Sequence, residues 1–171
     1  MPQQYPTRLL VQRHLTELLE TITVANGYQH DLNGRVHRGR LYFGEETEMP
    51  FLSILETPIP VEQLPPATSS PLVHGPWDLV LQGFVADNMQ NPTDPAHFLL
   101  ADVRKALGIE RKKRDHLGGP ENGILGLGQT VTDLYFGTGT VRPPDEVSAS
   151  AYFWLTLTLD VVENVEEPYG A

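Results

Sequence analysis

The sequence predicts an α+β fold, a mixed and mostly antiparallel sheet with two amphipathic helices packed on one face and long loops between elements. Three observations lead there. Two segments carry apolar residues along one helical stripe only. Several short runs alternate apolar and polar residues with period two. The closing run, Ala151 to Val162, alternates with apolar residues on both faces. The resulting order is helix, three strands, helix, two strands. At 171 residues the chain fits one domain spanning 1–171, large enough to bury a core without disulfides.

The first helix is expected over Leu9 to Ala25, where Val11, Leu15, Leu18, Ile22 and Ala25 form the stripe. Thr7 serves as its N-cap, and Asn26-Gly27 supplies a left-handed stop. Strands follow at Arg35–Phe43, Phe51–Glu56 and Trp77–Asp87, the last apolar on nearly both sides as a central strand should be. The second helix is expected from Pro95 to Leu107, capped by Asp94, started by Pro95 and ended by Gly108. Thr130–Phe136 and the closing strand complete the set. That closing strand would span ~40 Å at ~3.3 Å per residue. Its second face (Tyr152, Trp154, Thr156, Thr158, Asp160 and Val162) needs a cover, and another copy of the chain is the expected one. Two loops stand apart, proline-rich at about 57–75 and basic then glycine-rich at about 109–129.

Composition narrows function. There is no cysteine, which removes disulfides, thiolate metal sites and cysteine nucleophiles together. No apolar run reaches membrane-spanning length and the first residues lack an export signal, so a soluble protein made in a cytoplasm is expected, with no membrane partner. Net charge is −10. Residues 104–114 nevertheless hold six cations against one acid, a local +5 that leaves −15 on the rest. An acidic body repels phosphates, so general nucleic-acid binding is disfavoured, while the basic patch suits an acidic protein surface.

Chemistry is hard to find. None of the five serines sits in a Gly-x-Ser-x-Gly elbow, and the Gly118–Gly128 stretch lacks the Gly-Lys-Ser/Thr ending of a phosphate loop. His14 and Glu17 share a helical spacing but lie on the polar side. His97 sits between Asp94 and Asp102, acids that capping and dipole effects explain. His30-Asp31 reads as solvated, and Glu45, Glu46 and Glu48 as a charged hairpin tip. We therefore expect no catalytic residues, no metal site and no cofactor. Arg35, Arg38 and Arg40 surround the first strand, and alternation puts Arg38 and Arg40 on one face with His37 on the other. They read either as a solubilised sheet face or as a cationic strip for an acidic neighbour. Candidate interface residues are thus Arg35, Arg38, Arg40, Arg111, Lys112, Lys113, Arg114 and Trp154.

The chain resembles the tail terminator proteins of long-tailed, lambda-like bacteriophages in order and local texture over most of its length. The residues that carry the likeness are Ala25-Asn26-Gly27-Tyr28, then Arg35-Val36-His37-Arg38-Gly39-Arg40, and the proline-led strand Met49-Pro50-Phe51-Leu52-Ser53-Ile54-Leu55-Glu56. Trp77 to Asp87, Pro95 to Leu107 and the long closing strand running to Pro168-Tyr169 complete it, and the two long loops depart from it. The resemblance implies a virion protein of the tail and neck, assembled in the host cytoplasm as a homohexameric ring. Such a ring caps the tail tube, ends its growth, meets the tube protein and a head-completion or connector protein, and lets genomic DNA slide through its lumen without specific binding. The alternatives are another neck or tail-completion protein, a small metal-dependent hydrolase using His14, Glu17 or His97, and a module that captures a strand on a sheet edge.

Overall fold

A computed structural model describes residues 4–58, 69–115 and 122–170. Strands β1 (Tyr5–Pro6), β2 (Val36–Arg38), β3 (Phe51–Glu56), β4 (Leu72–Val85), β5 (Val131–Phe136), β6 (Thr140–Arg142), β7 (Ala151–Asn164) and β8 (Tyr169–Gly170) accompany helices α1 (Thr7–Glu20) and α2 (Asp94–Arg111). The main sheet runs β2-β3-β4-β7-β5, with β6 beside β7. All its pairings are antiparallel except β2 with β3. This is the expected α+β class.

The two long strands form the spine. β4 and β7 pair over their full lengths, from Leu72↔Asn164 to Val85↔Ala151. Period-two alternation then turns Ala151, Phe153, Leu155, Leu157, Leu159 and Val161 toward the helices, and none exceeds 4 % exposure. Val11, Leu15 and Leu19 of α1, and Leu99, Val103, Ala106 and Leu107 of α2, close the same hydrophobic cluster from above. Burying each large side chain contributes ~1.5–3 kcal/mol, so this face dominates stability.

Several boundaries differ from expectation for local reasons. α1 begins at Thr7 itself, behind Pro6, and ends at Glu20. Thr21, Ile22, Thr23 and Val24 form a β-branched run that a helix accommodates poorly, and Val24–Asn26 makes a 3-10 turn before Gly27 at φ 82. α2 starts at Asp94 with Thr93 as its cap residue and passes through Gly108 to Arg111. Buried Leu107 and Glu110, with Gly108 facing the Phe136 ring, hold that last turn against the weak propensity of glycine. The expected strand Arg35–Phe43 is cut to three residues, because Gly39 turns the chain at φ 66. The proline-rich loop is shorter than expected, since Leu72–Gly75 already belong to β4; residues 59–68 of it lie outside the described part. Within the expected 109–129 loop, short 3-10 turns occupy Lys112–Asp115, Ile124–Gly126 and Gly128–Thr130, and residues 116–121 lie outside the described part.

The two ends of the chain meet. β1 pairs with β8, and the Thr7 N–H and hydroxyl both donate to the Pro168 carbonyl, at 2.9 and 3.2 Å. No helix among the described residues is long and apolar enough to cross a membrane.

Candidate interaction surfaces

The sheet face away from the helices carries an aromatic row. Phe51, Phe84 and Tyr152 lie side by side on β3, β4 and β7 because the registers put them opposite one another. Their ring centroids are 4.9 and 6.0 Å apart, Phe43 joins from the β2–β3 loop at 4.3 Å from Phe51, and Trp154 meets Tyr152 edge-on at 5.6 Å. This corrects the expectation for the closing strand in part, since the chain covers the start of its second face itself. Tyr152 is 1 % exposed, and its hydroxyl donates to Asp145 at 2.9 Å. Trp154, at the end of the row, is still 39 % exposed. Beyond it the face is open and mostly polar, through Thr156, Thr158 and Asp160.

Asp145 fastens the covering loop. It accepts the Val147 N–H at 2.9 Å, the Tyr152 hydroxyl and the Ser148 N–H, and it pairs with Arg142 at 3.3 Å. These contacts hold its carboxyl below the ordinary carboxylate range, the Val147 N–H foremost, while burial and Asp145 push the Tyr152 hydroxyl up. A depressed folded value stabilises the fold fully above the unfolded carboxylate range, near pH 4, and that stabilisation disappears as pH falls through the folded value. Asp145→Asn is therefore expected to melt below the wild type at neutral pH, with the two melting curves converging under acid.

The three arginines of the first strand separate. Arg35 pairs with Glu48 at 2.7 Å and donates to the Met49 carbonyl at 3.2 Å. Arg38 reaches the helix side, where it donates to the Thr16 hydroxyl at 2.9 Å. Arg40 lies over the Phe43 ring at 4.8 Å, on the aromatic face, and its carbonyl accepts the Ser53 hydroxyl at 2.6 Å. Arg38 and Arg40 thus sit on opposite faces, contrary to expectation, because the turn at Gly39 resets the alternation. His37 shares the aromatic face with Phe43 at 5.6 Å, and burial together with Arg40 lowers its pKa below the usual imidazole range.

The basic end of α2 is largely engaged within the chain. Arg111 lies over Tyr135 at 5.4 Å, Lys113 pairs with Glu110 at 2.8 Å and Arg114 with Asp133 at 3.5 Å, while Lys112 is exposed. Asp133 is the pivot. Burial pushes its carboxyl up, but the Tyr135 hydroxyl, the Leu134 N–H, Arg114 and Arg111 together bring it below the ordinary range. Glu110, 2 % exposed, also accepts the Leu125 N–H at 2.6 Å, and His14 Nδ1 donates to the Leu125 carbonyl at 2.9 Å. The chain is therefore clamped at Leu125, which sits at φ 57.

The residues considered for chemistry form no common site among the described residues. His14 is committed to Leu125, while Glu17 and His97 are exposed on different helices. Among the described residues no three His, Asp or Glu side chains are grouped to hold a metal ion. Sequence reasoning missed the best-ordered polar cluster. Asp102 on α2, 6 % exposed, accepts the Gln29 and His30 N–H groups at 2.9 and 3.1 Å and the His30 ring at 2.8 Å. His30 is thus a partly buried strut rather than a fully solvated side chain. The partners lie 72 residues apart, beyond the reach of any spacing motif.

The sheet edges are blunted. The Asp78 carbonyl faces β3 and accepts the Thr57 N–H, so by alternation Pro76 turns its missing donor to the same edge of β4, which pairs with no strand there among the described residues. On β5, the Asp133 carboxylate occupies the Leu134 N–H at 2.7 Å. β2 is only three residues long. An open groove of about 500 Å³ beside it is lined by Leu9, Gln12, Arg38, Gly39, Ile54 and Glu56, and is spanned by a Gln12–Glu56 hydrogen bond of 3.2 Å. Compared with known proteins, the chain matches no family model and no curated sequence.

Proposed function

We propose that this protein is a structural ring component of the tail of a long-tailed phage. It closes the head-proximal end of the tail tube, ends tube growth and offers a docking face to a head-completion or connector protein. The observation that carries this is Trp154, a large aromatic left 39 % exposed at the end of an aromatic row whose other members, Phe43, Phe51, Phe84 and Tyr152, are all better covered. Large aromatics set in a rigid surround are the usual anchors of protein interfaces. The α+β fold is of the class the resemblance implies, and blunted edges weaken the strand-capture alternative. The engagement of His14 by the Leu125 carbonyl, and the placement of His97 on a different helix from Glu17, weaken the hydrolase alternative. The ring is homohexameric, and its acidic surface suits a lumen through which DNA slides without adhering.

Tube protein polymerising with and without the purified chain tests the proposal. Tubes are expected to stop at shorter, defined lengths when the chain is present, and unchanged lengths would contradict it. Trp154→Ala should lower the capping affinity by ~2 kcal/mol or more, the range of an interface anchor. The same variant also loses the packing of the covered part of the ring on Tyr152, so capping is compared at a temperature where both proteins are fully folded by their melting curves. Cross-linking within particles then separates a terminator, which touches the tube protein, from another neck protein, which touches only head-completion proteins.

A further inference from the structure

The outer face of α2 and the loop between β2 and β3 are complementary in charge and in apolar character. Against its buried side α2 turns Phe98, Ala101, Lys105 and Ile109 outward, and Lys112 continues the line just past its end, at successive spacings of three, four, four and three. Phe98 and Ile109 are 51 % and 50 % exposed, so the stripe combines apolar and cationic side chains. The Lys105 ammonium is held on the Gly27 carbonyl at 2.9 Å, which fixes its charge beside the stripe. The loop carries the opposite charge. Glu45 and Glu46 are exposed there next to Leu41, Met49 and Tyr42, the last 88 % exposed, while Glu48 is held by Arg35 at 2.7 Å.

One molecule cannot bring these two surfaces together. α2 packs against β4, β7 and β5 on the helix-covered face. The loop instead seats Phe43 on Phe51 and Phe84, on the opposite face and toward the β2 end of the strand order. We propose that the β2–β3 loop of one copy docks on the outer face of α2 of the next, head to tail. The inference rests on the ring reading above and names the contact that builds the ring. Because the two surfaces differ, each copy that docks leaves one of each unfilled, and growth stops only when the ring closes.

Sedimentation velocity on the full chain tests this with two variants, Ile109→Glu with Lys112→Glu on the helix, and Tyr42→Ser with Glu45→Gln and Glu46→Gln on the loop. All five positions are exposed, so both variants should keep the wild-type melting curve. The wild type is expected to sediment as one closed multi-copy species and each variant as a single copy. An equimolar mixture should stop at two copies, since it offers one intact contact. If either variant melts early, Lys112→Glu and Glu45→Lys alone replace them. Each should weaken self-association about fivefold, and the two reversals in one chain should restore it. Variants that assemble like the wild type overturn this contact and leave the ring reading standing. A wild type that stays a single copy overturns self-docking, and tube length then decides the ring reading independently.

Discussion

Gly83→Ala is expected to destabilise the fold by ~3 kcal/mol, the upper end for overpacking a core. Gly83 faces Phe153 across the central β4–β7 pair, and a Cβ there would land on the Phe153 ring, which is fully buried. The absent side chain lets a phenylalanine lie flat over the neighbouring strand. Phe153→Ala alone should cost ~3–5 kcal/mol through the cavity it leaves. The double variant should cost less than the sum by ~1–3 kcal/mol, since each change relieves the other. Urea titration of all four proteins measures that coupling, and additive costs would show that the ring and Gly83 do not share the space.

Asp102→Ala should cost on the order of 3 kcal/mol. One buried carboxylate oxygen satisfies two backbone N–H groups and the His30 ring, so its loss strands three donors at once. The loop after α1 would come loose from α2, and hydrogen exchange at Gln29 and His30 should accelerate far more than in the sheet. Asp102→Asn keeps an acceptor in place and should recover most of the loss. Equal melting of wild type and Asp102→Ala would contradict the strut.

These two sites mark what the sequence can and cannot convey. The spine was legible because alternation is a local signal. β3 falls on its expected residues, and β7 begins at Ala151 and runs to Asn164, two residues past expectation. The helices were legible as stripes, but their ends depended on tertiary contacts, as Glu110 and Gly108 show at the end of α2. β2 was overextended because one glycine at positive φ outweighs a run of alternating residues. β1 and β8 are two residues each and pair across the whole chain, leaving no periodicity to detect. At the candidate surfaces, Trp154 was legible as a bulky residue on a second sheet face. The covering of Tyr152 was not, because it depends on where the 143–150 loop folds back. The charges of Arg111, Lys113 and Arg114 were equally plain, yet their partners Tyr135, Glu110 and Asp133 are set by packing.

The proposed function requires copies of this chain to join into a closed ring seated on the end of a tail tube. Electron microscopy of tubes assembled with the purified chain, carrying a gold label at its carboxy terminus, tests it most directly. A ring of label at one end of each tube, with none along the shaft, is the expected result. Bare tube ends, or label scattered along the shaft, would contradict it.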